Sequence, residues 1–186
     1  MKPIEKIIGD NDQIYGLFNL TDLFTLVKGN ANEDKDGDYP LITSSDKNKG
    51  AAQKTSSNKY ENCFTISSNG SCGSCFWHPY KFDANSDATV AIPKFKIADL
   101  PTMEGIAAYV SKYLKYKRFS YGRKSGLGRL NKQLVAMPIK KDKIDWKFIH
   151  DSYKSVVSEI CNKQKDQIQS KIDSLNVEFE DPEFYP

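Results

Sequence analysis

The amino-acid sequence predicts a mixed α/β domain followed by one long C-terminal helix. Three observations carry that expectation. Short β-branched and aromatic runs at 39–43, 63–67 and 88–92 alternate with polar loops, as strands do. Residues 102–116 switch to helical spacing, with Ile106, Tyr109, Val110, Tyr113 and Leu114 recurring along one face. Residues 145–175 then hold a helical apolar pattern with neither proline nor glycine to stop it.

The elements follow in order. Residues 17–27, LFNLTDLFTLV, read as a short helical turn leading into a strand, with Thr21 and Asp22 offering local side-chain acceptors. Residues 29–38 are polar and acidic, a loop. YPLIT at 39–43 is a strand with Pro40 near its start, where a missing N–H costs least. The Ser-, Lys-, Asn- and Gly-rich stretch 44–59 is expected to be an exposed loop. CFTIS at 63–67 and ATVAI at 88–92 are short strands, the second ended by Pro93.

In the C-terminal stretch Ile149, Tyr153, Val156, Val157, Ile160, Ile168, Ile172 and Leu175 form a stripe that Gln164 interrupts. A helix of that extent is roughly 45 Å long at 1.5 Å per residue. It is longer than the body of the domain, so its stripe outruns its own globule and meets another helix, from a second copy or a partner. Two shorter helices folded back on the core are the alternative. The expected division is 1–144 for the globular domain, 145–176 for a dimerisation or spacer helix, and 177–186 for an acidic, aromatic tail.

Composition narrows the setting. A chain of 186 residues, 39% hydrophobic, is long enough to bury a core and too apolar for a disordered segment. No apolar run approaches the roughly 20 residues that span a bilayer, and MKPIEKIIGDNDQ is too polar and acidic for a signal peptide. Four cysteines without an export signal imply free thiols in a reducing cytoplasm, so a cytoplasmic protein without membrane association is expected. The net charge is only +3, yet it is segregated. No acidic residue lies between Glu104 and Asp142, and residues 112–143 hold eleven Lys/Arg against Asp142 alone. Such a concentration attracts a polyanion, while a merely solvated basic face is the bland alternative.

For catalysis the inventory is thin. The two histidines, His78 and His150, lie in unrelated settings, and there is no Gly-x-Ser-x-Gly, Walker A or His-Glu-x-x-His. Gly126-Leu-Gly128 lacks the third glycine and the preceding strand of a dinucleotide fingerprint. Neither the signature of amino methyltransferases nor that of PD-(D/E)xK nucleases is present in a convincing context. Cys63, Cys72, Cys75 and His78, in and beside SSNGSCGSCFWHPY, are the right set for a structural zinc. Only Cys72-x-x-Cys75 has knuckle spacing, however, and Cys63 sits in an apolar strand where cysteine is usually a small core filler. A dithiol redox centre would open a helix, and Phe-Trp-His-Pro does not. No metal site, no cofactor and no catalytic residue are therefore expected.

The basic segment is more informative. In YKRFSYGRKSGLGR, residues 116–129, aromatic residues interleave with Lys and Arg and glycines follow. Cations neutralise phosphates, Arg forks pair with guanine, and glycines let backbone N–H groups approach closely. LFNLTDLFTLVKGN, YPLITSSDKNKGAA, FTISSNGSCGSCFWHPYKFDANSDATVAIPK, KRFSYGRKSGLGRLNKQLVAMPI and DWKF occur in that order. Together they resemble the target-recognition domain of restriction–modification specificity subunits, those of Type I systems and the similar separate subunits of some Type II systems. The resemblance covers about residues 17–158.

The resemblance implies a mixed α/β target-recognition domain followed by a long spacer helix, without catalytic residues of its own. It implies double-stranded DNA as ligand, and a methyltransferase (modification) subunit, with a restriction subunit as a further partner, as the proteins positioned on it. A full Type I subunit has two recognition domains and two spacer helices, whereas this chain has one of each. It therefore resembles a half-subunit, two copies of which pair through antiparallel C-terminal helices as a homodimer and read a bipartite, palindromic site. The specificity subunit or a fragment of a system with a different stoichiometry is the alternative to that pairing. A scaffold or an RNA-binding or decoy module on the same fold is the alternative.

The family's Asn-Gly-x-x-Gly turn falls on Asn69, Gly70 and Gly73, with Cys72 and Cys75 at positions usually held by small apolar residues. Its Tyr-Gly-Arg-Lys corner falls on Tyr121, Gly122, Arg123 and Lys124, after which Ser125-Gly126 replaces a bulkier residue. Asn85-Ser86-Asp87-Ala88 departs from the usual pattern. Recognition belongs on loops. The expected DNA-binding residues are Thr43, Ser44, Ser45, Lys47, Asn48 and Lys49; Ser68, Asn69 and Ser71; and Lys117, Arg118, Tyr121, Arg123, Lys124 and Arg129.

Overall fold

Three small sheets and two long helices share two adjoining cores. The computed structural model describes residues 2–9, 12–96, 99–117, 119 and 122–177, with backbone only at 116, 117 and 175–177. In chain order the elements are β1 (Glu5–Ile8), β2 (Ile14–Asn19), α1 (Leu20–Leu23), β3 (Phe24–Lys28), β4 (Tyr39–Ile42), β5 (Ala51–Thr55), β6 (Cys63–Ser67) and β7 (Cys75–His78). They continue as β8 (Asp83–Ala84), β9 (Ala88–Pro93), α2 (Leu100–Lys117), α3 (Leu127–Leu130), β10 (Leu134–Lys140), β11 (Lys143–Ile144) and α4 (Trp146–Val177).

The strand orders are β1-β2-β10-β11, β3-β9-β6-β7 and β5-β4-β8. All five residues of β6 are buried because the sheet around it is covered on both faces. Phe64 and Ile66 point into the larger core, with Phe18, Leu20, Leu23, Ile106, Val110, Leu114 and Ile149. Cys63, on the opposite face of the strand, enters the smaller core with Ile42, Phe82, Ala84 and Val90, which seals the β4 sheet. Aromatic pairs tie the larger core: the Phe64 and Trp77 rings are 4.8 Å apart, and Phe95 lies 5.0 Å from Trp146.

Helix α2 begins where Asp99 accepts hydrogen bonds from the Thr102 N–H at 3.0 Å and the Thr102 hydroxyl at 2.6 Å, a side-chain N-cap. Asp145 caps α4 in the same way through the Phe148 N–H at 3.0 Å. The two helices meet where the His150 Nδ1 lies 2.7 Å from the Asp99 carboxylate. Beyond Tyr153 every described side chain of α4 is exposed.

The expected α/β body and long helix are both present, and α4 is continuous over 32 residues, so the two-helix alternative does not hold. The turn-then-strand reading of 17–27 holds for α1 and β3, although its first three residues close β2. The exposed loop expected at 44–59 is corrected. It contains a 3-10 turn, Lys47–Gly50, and the strand β5, which pairs antiparallel with β4. AAQKT is an edge strand whose burial alternates without large apolar residues, so it lacked the usual signal. Among the described residues no helix is long and apolar enough to cross a membrane.

Candidate nucleic-acid interface

The cysteine-rich stretch is scaffold. In the β6–β7 hairpin Cys63 pairs with His78 and Ile66 with Cys75. The reversal needs left-handed backbone at Gly70 (φ +52°) and Gly73 (φ +83°), which glycine adopts without strain. The Gly73 N–H donates to the Ser67 carbonyl at 2.9 Å, and the Ser67 N–H to the Ser74 carbonyl at 2.9 Å. His78 is fully buried, with Nε2 2.8 Å from the Thr65 hydroxyl and Nδ1 3.0 Å from that of Tyr80. Burial, helped by the Lys49 charge, pushes its pKa down to about 3, so it stays neutral. Burial likewise pushes the Cys75 thiol up, away from thiolate chemistry. No cluster of three or more His, Cys, Asp or Glu side chains suited to a metal occurs among the described residues.

This hairpin joins two other segments singled out in the sequence. On one side the Ser71 N–H donates to the Ser44 carbonyl at 3.4 Å, and the Ser74 hydroxyl donates to Asp46 at 2.5 Å. Partial burial works against the Asp46 carboxylate. Hydrogen bonds from Ser74 and Ser71 and the charge of Lys115 outweigh that and hold its carboxyl below the ordinary range. On the other side the Ser125 N–H donates to the Ser68 carbonyl at 3.3 Å, and the buried Ser125 hydroxyl to the Ser67 carbonyl at 2.5 Å. Ser125 is thus a buried hydrogen-bond donor. Loop 43–49, turn 68–71 and segment 123–129 therefore form one continuous surface, with the hairpin in the middle.

A cleft of about 380 Å³ opens on this surface, lined by Lys28, Ser68, Asn69, Asp87, Thr89 and Lys124 among others. A shallower polar groove of about 210 Å³ between Asn30, Gln53 and Asn85 adjoins it, sharing Ser86. Lys28, Lys47, Arg123, Lys124 and Arg129 are all exposed, and none is in an ion pair with a described residue. Arg129 is steadied by donation from its Nη1 to the Lys124 carbonyl at 2.8 Å. Exposed cations free of carboxylates are the equipment for phosphate contacts.

Not every expected residue joins this surface freely. Lys49 is tied to Glu104, so its charge is already neutralised. The Thr43 hydroxyl donates to the Gly50 carbonyl at 3.2 Å, and the Ser45 hydroxyl accepts from the Lys47 N–H at 3.1 Å; both brace their own loop. Asn48 stands exposed in left-handed backbone at φ +48°. Arg118, Tyr121 and the side chain of Lys117 lie outside the described residues, as do 178–186 of the tail. Lys28, Ser86, Asp87 and Thr89 were not among the expected residues. Lys28 is a lone charge at a strand end, and only the fold brings it opposite Lys124.

The second surface is on α4. Val156, Val157, Ile160, Ile168 and Ile172 are 38–59% exposed. At its inner end the stripe runs into a largely apolar pocket of about 290 Å³ between Tyr15, Tyr109, Ile149 and Tyr153.

Comparison with known proteins gives consistent results. A family model, "Type I restriction modification DNA specificity domain", matches residues 14–170. The specificity subunit S.BcgI of a Type II restriction enzyme from Heyndrickxia coagulans is 24% identical over 139 residues, 70% of this chain and 40% of its own length. Among solved structures the fold is similar to the S subunit of a Type I restriction–modification system from M. genitalium. There the TM-score is 0.59 at 14% identity, over 93% of this chain and 45% of the other. It is also similar to the HsdS subunit of Thermoanaerobacter tengcongensis, with a TM-score of 0.58 at 10% identity over 82% and 40%. The chain spans less than half the length of each of these proteins.

Proposed function

The chain belongs to the Type I restriction modification DNA specificity domain family, and on that premise we propose that it is a noncatalytic specificity subunit, one recognition half. It reads double-stranded DNA and positions methyltransferase and endonuclease subunits upon it. The observation that carries the reading is the joining of three separate loop segments and the end of β3 into one surface with exposed Lys28, Lys47, Arg123, Lys124 and Arg129. The segments lie far apart in sequence, so only the fold concentrates their cations.

A homodimer completes the reading. Within the stripe, setting aside Val156 and the positions before it, 157, 160, 164, 168, 172 and 175 are spaced three, four, four, four and three apart, which reads the same in both directions. Antiparallel pairing of two copies about position 166 sets Val157 against the partner's Leu175, Ile160 against its Ile172 and Gln164 against its Ile168. Such self-complementarity is what a two-fold interface requires, and one polar seam residue is a means of fixing register. The recognised site is then two inverted half-sites.

The test is fluorescence anisotropy with a random-sequence duplex and a single-stranded RNA of equal length, from 50 to 200 mM salt, an interval over which phosphate contacts lose orders of magnitude in affinity. The expected result is tighter binding to duplex, with a steep salt slope that falls by about two when Arg123 and Lys124 are both changed to Ala. Equal or tighter binding to the RNA contradicts the reading in favour of an RNA-binding module.

A further inference from the structure

We propose that Asp87 reads a base: its carboxylate accepts the exocyclic amine of a cytosine or an adenine in the major groove, while Lys28 and Lys124 hold the phosphates beside it. The inference rests on the DNA-reading function above and names a residue that discriminates within that site.

Asp87 lies in the cleft of about 380 Å³ between the β6–β7 turn and segment 124–127, with Lys28 and Lys124 in the same lining. A carboxylate is out of place on a surface that meets phosphates, because like charge repels the ligand. Pairing with a neighbouring lysine would cancel that cost, but Asp87 forms no ion pair with a described residue. The remaining chemistry for a carboxylate at a DNA groove is acceptance from a base amine. Asp and Glu accept from cytosine N4, and adenine N6 presents the same kind of donor.

The residue is also held in place. Its N–H donates to the Asn85 side-chain oxygen at 3.0 Å, and its carbonyl accepts from the Ser68 N–H at 2.7 Å. The Asn69 amide donates to Oδ1 of the carboxylate while its own oxygen stays buried without a partner. That amide therefore aims the carboxylate at the expense of its own acceptor, and Oδ2 keeps no described protein partner. With the backbone of Asp87 held at two points and one carboxylate oxygen held by Asn69, the other oxygen is set to accept one further N–H in a defined direction.

The experiment is selection of bound duplexes from a randomised pool by the full chain, as wild type, Asp87→Ala and Asp87→Asn, with thermal melting and random-duplex affinity measured alongside. The wild type should prefer cytosine or adenine at one position of each half-site, and the selected base says which amine is read. Asp87→Ala should lose that preference roughly tenfold or more while affinity for random duplex stays level or rises. Asp87→Asn keeps the shape and should shift the preference at the same position. If both variants keep the wild-type preference, or weaken binding uniformly with a lowered melting temperature, Asp87 is only a brace for the turn. In that case the DNA-reading function still stands. A wild type that selects no sequence overturns that function and this inference together.

Discussion

Ile149 and Ile168 belong to the same helix, yet Ile149 is 0% exposed and Ile168 59% exposed. The first turns of α4 complete the larger core of the body, whereas everything beyond Tyr153 leaves it. The body buries most of its apolar side chains, sheet on helix and sheet on sheet, although Ile4, Ile7, Ile8 and Ile14 stay exposed at the β1–β2 edge. The outer helix cannot do the same, because it has no facing element within the described chain. Stability therefore resides in the body, and on the proposed reading assembly resides in the outer helix, so changes in the two regions should have separable consequences.

The largest separation is expected between Phe64→Ala and Ile168→Ala. Phe64 is fully buried between Phe24 and Trp77, so its truncation should cost about 3–5 kcal/mol in urea unfolding. Ile168→Ala should leave the unfolding of the body within about 0.5 kcal/mol. Comparable losses at the two sites would erase the distinction. Next comes the reverse experiment. Ile160→Asp with Ile168→Asp should reduce the mass seen by light scattering at tens of micromolar from two chains to one without lowering the melting temperature of the body. A wild-type chain that already elutes as a monomer would remove the homodimer.

Smaller effects probe the seam between turn and basic segment. Ser125→Ala removes the donor to the Ser67 carbonyl, which keeps the Gly73 N–H as a second partner, so about 1 kcal/mol is expected. Duplex affinity should fall with it because Lys124 loses its anchor, and unchanged affinity would place segment 123–129 off the interface. The smallest effect is acid sensitivity at the α2–α4 junction. Partial burial opposes ionisation of Asp99, but hydrogen bonds from Thr102 and His150 outweigh it and hold the carboxyl below 3.8. A carboxyl lowered in the folded state stabilises above its unfolded value, and that contribution is lost as pH falls through the folded one. Asp99→Asn should therefore lower stability slightly at neutral pH, and the difference from the wild type should vanish as pH falls below about 4.

The sequence revealed what depends on local pattern. Helix α2, the strands β4, β6 and β9 and the unbroken α4 were legible from period and punctuation, as was the Gly70–Gly73 reversal from its glycines. Strands β1, β2, β10 and β11 were not read as strands, because Glu5–Ile8 is exposed throughout, Gly16 and Pro138 interrupt β2 and β10, and β11 is only two residues long. At the site, loop 43–49, turn 68–71 and segment 123–129 were legible as polar or basic loops, and their joining was not. It depends on single hydrogen bonds such as Ser71 to Ser44 and Ser125 to Ser67, which span 27 and 58 positions of the chain and leave no trace in composition. Lys49 shows the converse: it reads as a phosphate contact, and Glu104, folded against it, uses up its charge.

On the proposed function, two copies joined along α4 each read DNA with the face around the β6–β7 turn. Methylome sequencing of a host carrying this chain with its methyltransferase subunit tests it most directly. The expected result is a new methylated motif made of two inverted, identical half-sites. A motif without two-fold symmetry, or no new methylation at all, would contradict it.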